Sequence, residues 1–169
     1  MIRGGEFSDF QFGGDPFIAL QGNNRKAIIE FDLNDANPNY EYDYTLQLFV
    51  TFVANNKQRS VTASYITQQD FVWDEDSITW DNFGEPAMEE VGWFSIFNSD
   101  KESLVEIPIG DLFNSTVNGN KFILVLQNHG TVDTGGDKFD FRSTEFAESF
   151  PGMPDTPPTL KAVPQFEED

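Results

Sequence analysis

Short runs of alternating apolar and polar residues recur along the chain, and turn-forming residues separate them. Such alternation with a period of two residues is typical of β-strands with one buried face. In the run 25–33 the residues on one face are Ala27, Ile29, Phe31 and Leu33, and we expect that face to be core. The pattern therefore predicts strands from the first third of the chain onwards.

The run 40–53 is apolar on both faces over its second half, which predicts a central strand that is covered on both sides. One face carries Tyr44, Leu46, Leu48, Val50 and Phe52, and the other carries Phe49 and Val53. The run 121–128 is also apolar on both faces and is expected to be central. Pro108 lacks a backbone N–H, so the run 104–109 is expected at a sheet edge.

Further strands are predicted at residues 17–20, 60–67, 91–97, 139–145 and 159–163, and residues 146–158 are expected to form a long loop. The only helical turn is expected at residues 110–114. About nine short strands joined by turns predict an all-β fold. We expect a jelly-roll β-sandwich of two antiparallel sheets with at most one short helical turn.

The segment 71–82 carries two of the three tryptophans, Trp73 and Trp80, with an acidic turn between them. Buried aromatic side chains contribute strongly to core stability, which favours packing over ligand binding for both rings. We therefore expect this segment to be a structural clasp against the sandwich.

Composition limits the classes of function. The chain has 10 Lys and Arg against 29 Asp and Glu, a net charge of -19, which excludes a general affinity for nucleic acid or anionic membrane. There is no cysteine, so disulfides and thiolate metal sites are excluded. We expect one domain, 1–164, with 165–169 as an acidic tail or linker. The start resembles the middle of a strand, so we expect a monomeric module cut from a larger secreted, extracellular protein.

A calcium site is one interpretation of the glycine-rich segment 4–16. Asp9 and Gln11 offer the oxygen ligands that calcium prefers, and the alternative is an ordinary Asx-turn loop without metal. The alternation in 139–145 places Glu145 on the core face, where a lone charge is costly. Either a calcium ion held with Asp9 and Gln11 or an ion pair with Arg25 would explain it. Asp15 and Glu30 are reserve ligands.

Sugar binding needs a flat aromatic surface and polar side chains for the hydroxyls. Trp93 lies outside the clasp and beside a glycine, so it is the leading candidate, although a strand residue usually packs and core or edge packing is the alternative. Tyr42 and His129 are candidates to join it, although a solvated loop is the alternative for the single histidine. Lys138 and Arg142 are candidate ligands for acidic groups of a sugar.

Four segments, in order, resemble the DNRLRE-type domains, which include carbohydrate-binding module family 96. They are the loop 8–13, the strand 25–33, the segment 73–82, and the strand 141–145 with 158–163 after it. The resemblance implies a jelly-roll module, often with a structural calcium, attached to secreted polysaccharide lyases or glycoside hydrolases. Its best-known ligand class is alginate.

Alginate is a polyuronate, and a protein that binds it requires a basic surface. That surface would need several cationic residues to converge, taken from Arg3, Lys26, Lys57, Arg59, Lys138 and Arg142. A neutral or lightly charged polysaccharide is the alternative.

The chain is therefore predicted to be a non-catalytic module that brings an attached enzyme to algal or plant polysaccharide. A structural or adhesion domain is one alternative, and a small jelly-roll lyase is another, because 127–129 resembles the Gln-x-His element of alginate lyases. However, the Arg-rich strand and the Tyr-x-Lys element of those lyases are absent. The chain has one His and no Cys, so the sequence gives little support for a catalytic triad, which needs a nucleophile and a histidine base.

Overall fold

Two antiparallel sheets make up the computed structural model, which describes residues 1–33, 41–54, 59–110, 116–117, 120–129 and 138–165. The ten strands within these ranges are β1 Ile2–Arg3, β2 Phe17–Leu20, β3 Arg25–Asp32, β4 Glu41–Val53, β5 Arg59–Ile66, β6 Met88–Ile96, β7 Ser103–Gly110, β8 Lys121–Asn128, β9 Phe139–Arg142 and β10 Thr159–Gln165. The predicted all-β sandwich is confirmed.

The first sheet has the strand order β1-β3-β8-β5-β6, and the second has β10-β4-β9-β2 with β7 also paired to β4. β4 has a neighbour on each side along most of its length. Tyr44 pairs with Gly110 of β7 and with Ala162 of β10, and Val50 pairs with Ser103 of β7 and with Phe141 of β9. The predicted central position of this strand is confirmed. β7, which contains Pro108, pairs only with β4 among the described strands, so its edge position is confirmed too.

The main core lies between the two sheets. Its fully buried members include Leu46 and Leu48 of β4, Phe122 and Leu124 of β8, and Phe141 of β9. Burying such side chains stabilises the fold by about 1.5–3 kcal/mol each.

One predicted face is wrong at the end of β4. The pairing of β4 with β9 shifts register between Val50 and Phe52, so Val53 is buried whereas Phe52 is 41% exposed. A bulge of this kind exchanges the faces of the residues that follow it.

Helical structure is confined to short turns in the described residues. An α-helical turn, α1 Phe146–Ser149, lies in the segment predicted as a loop, and 3-10 turns occur at Gly5–Phe7 and Asn98–Asp100. The helical turn predicted at 110–114 falls almost wholly on 111–115, outside the described residues. No helix within the described ranges has the length and apolar character needed to cross a membrane.

A second apolar cluster covers part of the outer face of the first sheet. Ile28 of β3 and Ile123 of β8 pack there against Phe71, Ile78 and Phe83 of the 71–83 segment. Trp73 and Trp80 are partly buried against the same cluster. The predicted clasp is therefore confirmed, and it explains why β3 and β8 are apolar on both faces.

The clasp is closed by reciprocal hydrogen bonds at its second turn. The Oδ1 atom of Asn82 accepts from the backbone N–H of Thr79 at 2.7 Å, and the Oγ1 atom of Thr79 accepts from the backbone N–H of Asn82 at 3.2 Å. The Nδ2 atom of Asn82 also donates to the carbonyl of Ser77 at 2.8 Å. The side chains of Asn82 and Thr79 together satisfy three backbone groups of the turn.

We expect Asn82→Ala to lower the free energy of unfolding by about 1–2 kcal/mol, since it leaves the N–H of Thr79 and the carbonyl of Ser77 without these partners. Urea denaturation measures the change. Asn82→Asp keeps the acceptor but loses the donor, so its loss should be intermediate. Equal stability of Asn82→Ala and the wild type would show that these bonds do not hold the clasp.

Candidate functional site

The clasp leaves the other half of the outer face open, and a groove of about 430 Å³ lies there. It is lined by Asn23, Thr62, Ser64, Met88, Val125, Gln127, Asn128 and His129. Most of these side chains carry hydroxyl, amide or imidazole groups, whereas buried Val125 belongs to the apolar cluster under the clasp. The groove therefore begins where the clasp ends.

Strand register places a row of three side chains across this face. Thr62 of β5 pairs with Trp93 of β6 on one side and with Gln127 of β8 on the other. Directly paired residues point to the same face, and neighbouring strands lie about 4.8 Å apart. The aromatic ring, the hydroxyl and the amide thus span about 10 Å of surface.

A β-bulge brings Glu90 to the same face as Trp93. The pairing of β5 with β6 shifts between Ala63 and Ser64, so Ser64 pairs with Glu90 rather than with Val91. Because of the extra residue, side chains three positions apart in β6 can meet. The Nε1 atom of Trp93 donates a hydrogen bond to the carboxylate of Glu90.

Trp93 is exposed but held in place. The side chain is 58% exposed, which rules out a core position but not packing at the sheet edge. Its ring lies 4.1 Å from that of His129 between centroids, at an angle of 36°. His129 is fixed in turn because its backbone N–H donates to the carbonyl of Ser60 at 2.8 Å. The two rings form one aromatic platform at the edge of the groove.

The opposite end of the row is also ordered by a hydrogen bond. The Nε2 atom of Gln127 donates to the carbonyl of Asn23 at 2.5 Å, which fixes the amide at the wall of the groove. No Lys or Arg lines the groove among the residues that the structure describes. Its chemistry is that of neutral polar groups beside two aromatic rings and one carboxylate.

The other three predicted ligand residues lie in or next to the second sheet, away from this groove. Tyr42 of β4 packs against the main core and the ring of Tyr44. Lys138 precedes β9, where its ammonium lies 3.8 Å from the carboxylate of Asp140. Burial raises the pKa of Asp140, and the charges of Lys138 and Arg25 oppose that effect. The structure therefore brings together Trp93 and His129 only.

Arg142 is buried, and its exposure is 7%. Its guanidinium carbon lies 3.9 Å from the ring centroid of Phe49 and 4.1 Å from that of Phe146. One terminal nitrogen donates to the carbonyl of Pro154 at 3.2 Å and to the hydroxyl of Thr156 at 2.7 Å. These contacts tie β9 to the segment before β10.

The predicted position of Glu145 is wrong. β9 ends at Arg142, so Glu145 lies in the turn before α1 rather than on the core face of a strand. Its carboxylate accepts a hydrogen bond from Thr144 at 2.7 Å. The calcium ion and the ion pair with Arg25 were both inferred from a core-face position that Glu145 does not have. Each of them stays a prediction.

Glu145 lines a second pocket, of about 330 Å³, between the N-terminal segment and the clasp. The reserve ligands Asp15 and Glu30 line it too, whereas Asp9 and Gln11 are exposed and do not. Burial, followed by the negative charge of Glu145, raises the pKa of Glu75 in this pocket. No group of three or more His, Asp or Glu in the described ranges is arranged to hold a metal.

The sequence pointed to residues 127–129 only as a lyase-like element, and it did not identify the other groove residues Asn23, Thr62, Ser64, Met88 and Val125 or the neighbouring Glu90. A weak signal existed in β5, where Thr62 and Ser64 alternate with buried Val61 and Ala63. That alternation shows that one face is polar but not which strands lie beside it. Register across three strands was needed to bring these side chains together.

Comparison with known families agrees with this architecture. Residues 1–153 of the 169 match the profile of carbohydrate-binding module family 96. No curated protein matches the chain. The chain belongs to carbohydrate-binding module family 96, which confirms the resemblance carried by the four sequence segments, and its class is that of a carbohydrate-binding module.

Proposed function

We propose that the groove beside Trp93 is the polysaccharide-binding site of this module. The observation that carries the proposal is the 58% exposed Trp93 ring, held against His129 and Glu90 at the end of a row of polar side chains. A pyranose ring offers an apolar face for the indole and hydroxyls for Thr62 and Gln127. Clefts that combine aromatic rings with a few placed polar groups are the usual form of such sites.

The surroundings of His129 support a binding role rather than catalysis. Lyase chemistry requires a base beside the sugar and a cation near the uronate carboxylate. His129 packs on an indole, and the described groove contains no Arg or Lys. We therefore propose a non-catalytic module.

The wider role follows from tethering. A module joined to a catalytic domain raises the effective concentration of that domain at the polymer without any new catalytic contact. We propose that the module is extracellular, monomeric and attached to a secreted lyase or glycoside hydrolase. The structural calcium ion that the sequence predicted at Asp9, Gln11 and Glu145 is kept as part of this proposal, although of these three residues only Glu145 lines the acidic pocket with the reserve ligands Asp15 and Glu30.

Affinity gel electrophoresis tests the proposal. The protein is run through gels that contain alginate, polygalacturonate, xylan, mixed-linkage glucan or galactomannan, with calcium and with a chelator, and soluble products are assayed for unsaturated ends. We expect retardation by at least one polymer and no product. Retardation by none would favour a structural or adhesion domain, and product formation would contradict the non-catalytic role.

A further inference from the structure

Most of the described cationic side chains of this module contribute to its own fold. Of the 10 Lys and Arg in the chain, Lys57 lies outside the described residues. Four of the others are buried: Arg25, Lys26, Arg59 and Arg142. Lys26, for example, lies 2.8 Å from the carboxylate of Glu85 and 4.7 Å from the ring centroid of Trp80. A buried cation of this kind cannot reach a polymer on the surface.

Three further cations have partners at the surface. Lys121 lies 3.0 Å from the carboxylate of Glu30, Lys138 lies 3.8 Å from that of Asp140, and the guanidinium of Arg3 lies 4.2 Å from the ring centroid of Phe7. The remaining two, Lys101 and Lys161, are exposed in the turn before β7 and on β10 of the second sheet. The described cations therefore do not converge on one surface, as binding to a polyuronate would require.

The charged group that the structure places beside the groove is negative. Its only described charged neighbour on the Trp93 platform is the carboxylate of Glu90, and the whole chain carries a net charge of -19. The range of such repulsion is about 10 Å at 0.1 M salt, which covers a ligand that spans the row from Trp93 to Gln127. Hydroxyl and amide groups, by contrast, match the hydroxyls of an uncharged sugar.

We infer that this groove selects an uncharged polysaccharide and discriminates against polyuronates such as alginate and polygalacturonate. The inference rests on the proposed function and narrows it to a ligand class. Selectivity arises from charge: a uronate bound at the platform would bring its carboxylate beside Glu90, and no described residue of the groove supplies a compensating cation.

A matched pair of polymers tests this directly. The polymer of the panel that retards the protein most is converted at C6 if it is built of hexoses, so that an uncharged polymer gains carboxylates by oxidation of its primary hydroxyls and a polyuronate loses them by reduction. Xylan has no C6, so if xylan binds best it is compared with glucuronoxylan, which carries uronate side groups. Affinities for both members are then measured at about 20 mM and about 500 mM NaCl. We expect the uncharged member to bind at least about tenfold more tightly at low salt, equivalent to about 1.4 kcal/mol.

The oxidised polymer could bind more weakly because its charge is repelled or because it has lost a hydroxyl. Salt dependence and one variant distinguish these two causes. If charge is the cause, high salt strengthens binding of the oxidised member and leaves the uncharged member unchanged. Glu90→Gln keeps an acceptor for the Nε1 atom of Trp93 but removes the charge, so it should narrow the difference between the two polymers. Trp93→Ala shows whether binding of either polymer uses the groove.

The outcomes are distinct. Tightest binding to a polyuronate, with or without calcium, would overturn the inference, and loss of that binding in Trp93→Ala would leave the proposed function intact. Binding of the oxidised member that is weaker but unaffected by salt and by Glu90→Gln would also overturn the charge-based inference. Binding to no polymer would instead remove the proposed function.

Discussion

Trp93→Ala is expected to weaken polysaccharide binding by about thirtyfold or more, which corresponds to at least about 2 kcal/mol. Among the described residues, this ring is the largest flat surface at the edge of the groove, and aromatic anchors of this kind carry most of the free energy of binding at such sites. His129 also packs on this ring at 4.1 Å, so the substitution removes the partner that orients the imidazole. Affinity electrophoresis or calorimetry with the polymer that retards the wild type measures the loss.

Two controls make this result specific. Trp93→Phe keeps a flat ring but loses the hydrogen bond from Nε1 to Glu90, so we expect an intermediate affinity. Because Trp93 is exposed, the unfolding midpoint of Trp93→Ala should stay close to that of the wild type. Unchanged affinity in a folded Trp93→Ala protein would move the binding site elsewhere.

Arg142→Ala is expected to lower the free energy of unfolding by about 2–4 kcal/mol, the largest stability change predicted here for a charged residue. The substitution removes cation–π contacts with Phe49 and Phe146 and leaves the carbonyl of Pro154 and the hydroxyl of Thr156 without their donor. It also opens a cavity under the segment that leads to β10. Chemical denaturation measures the change.

Arg142→Lys is the matched variant, since it keeps the charge but not the planar group that both rings contact. We expect it to recover only part of the stability. Lys161→Ala, at an exposed position of β10, should change the free energy by less than about 0.5 kcal/mol. If Arg142→Ala were as stable as the wild type and lost polysaccharide binding, Arg142 would be a ligand residue, as the sequence predicted.

Periodicity identified the strands because burial imposes it directly. The face of β3 that carries Ala27 and Ile29 is core, as alternation predicts, and the apolar residues on both faces of β8 are explained by the main core and the clasp. The wrongly predicted faces occur where the alternation of a strand is interrupted by a bulge or by the end of the strand. The bulge in β4 exchanges Phe52 and Val53, and the end of β9 at Arg142 removes Glu145 from the core face.

The binding groove was harder to predict for a physical reason. Thr62, Trp93 and Gln127 lie on three different strands, and only the pairing register makes them neighbours. Composition identified Trp93 and His129 as candidates but gave no distance between them. Charge counts also could not show that Arg142 serves the fold, because its burial depends on Phe49 of a distant strand and on the way the chain turns back at Phe146.

The tryptophans offer the most direct measurement of where the ligand binds. The chain has three of them, so its proton–nitrogen NMR spectrum contains three indole signals that single Trp→Phe variants assign. When an oligosaccharide of the bound polymer is added, we expect the signal of Trp93 to shift and saturate. The signals of Trp73 and Trp80, which belong to the clasp, should not move. A shift of the Trp73 signal with that of Trp93 unchanged would contradict the proposed site, since it would place the ligand in the acidic pocket beside the clasp.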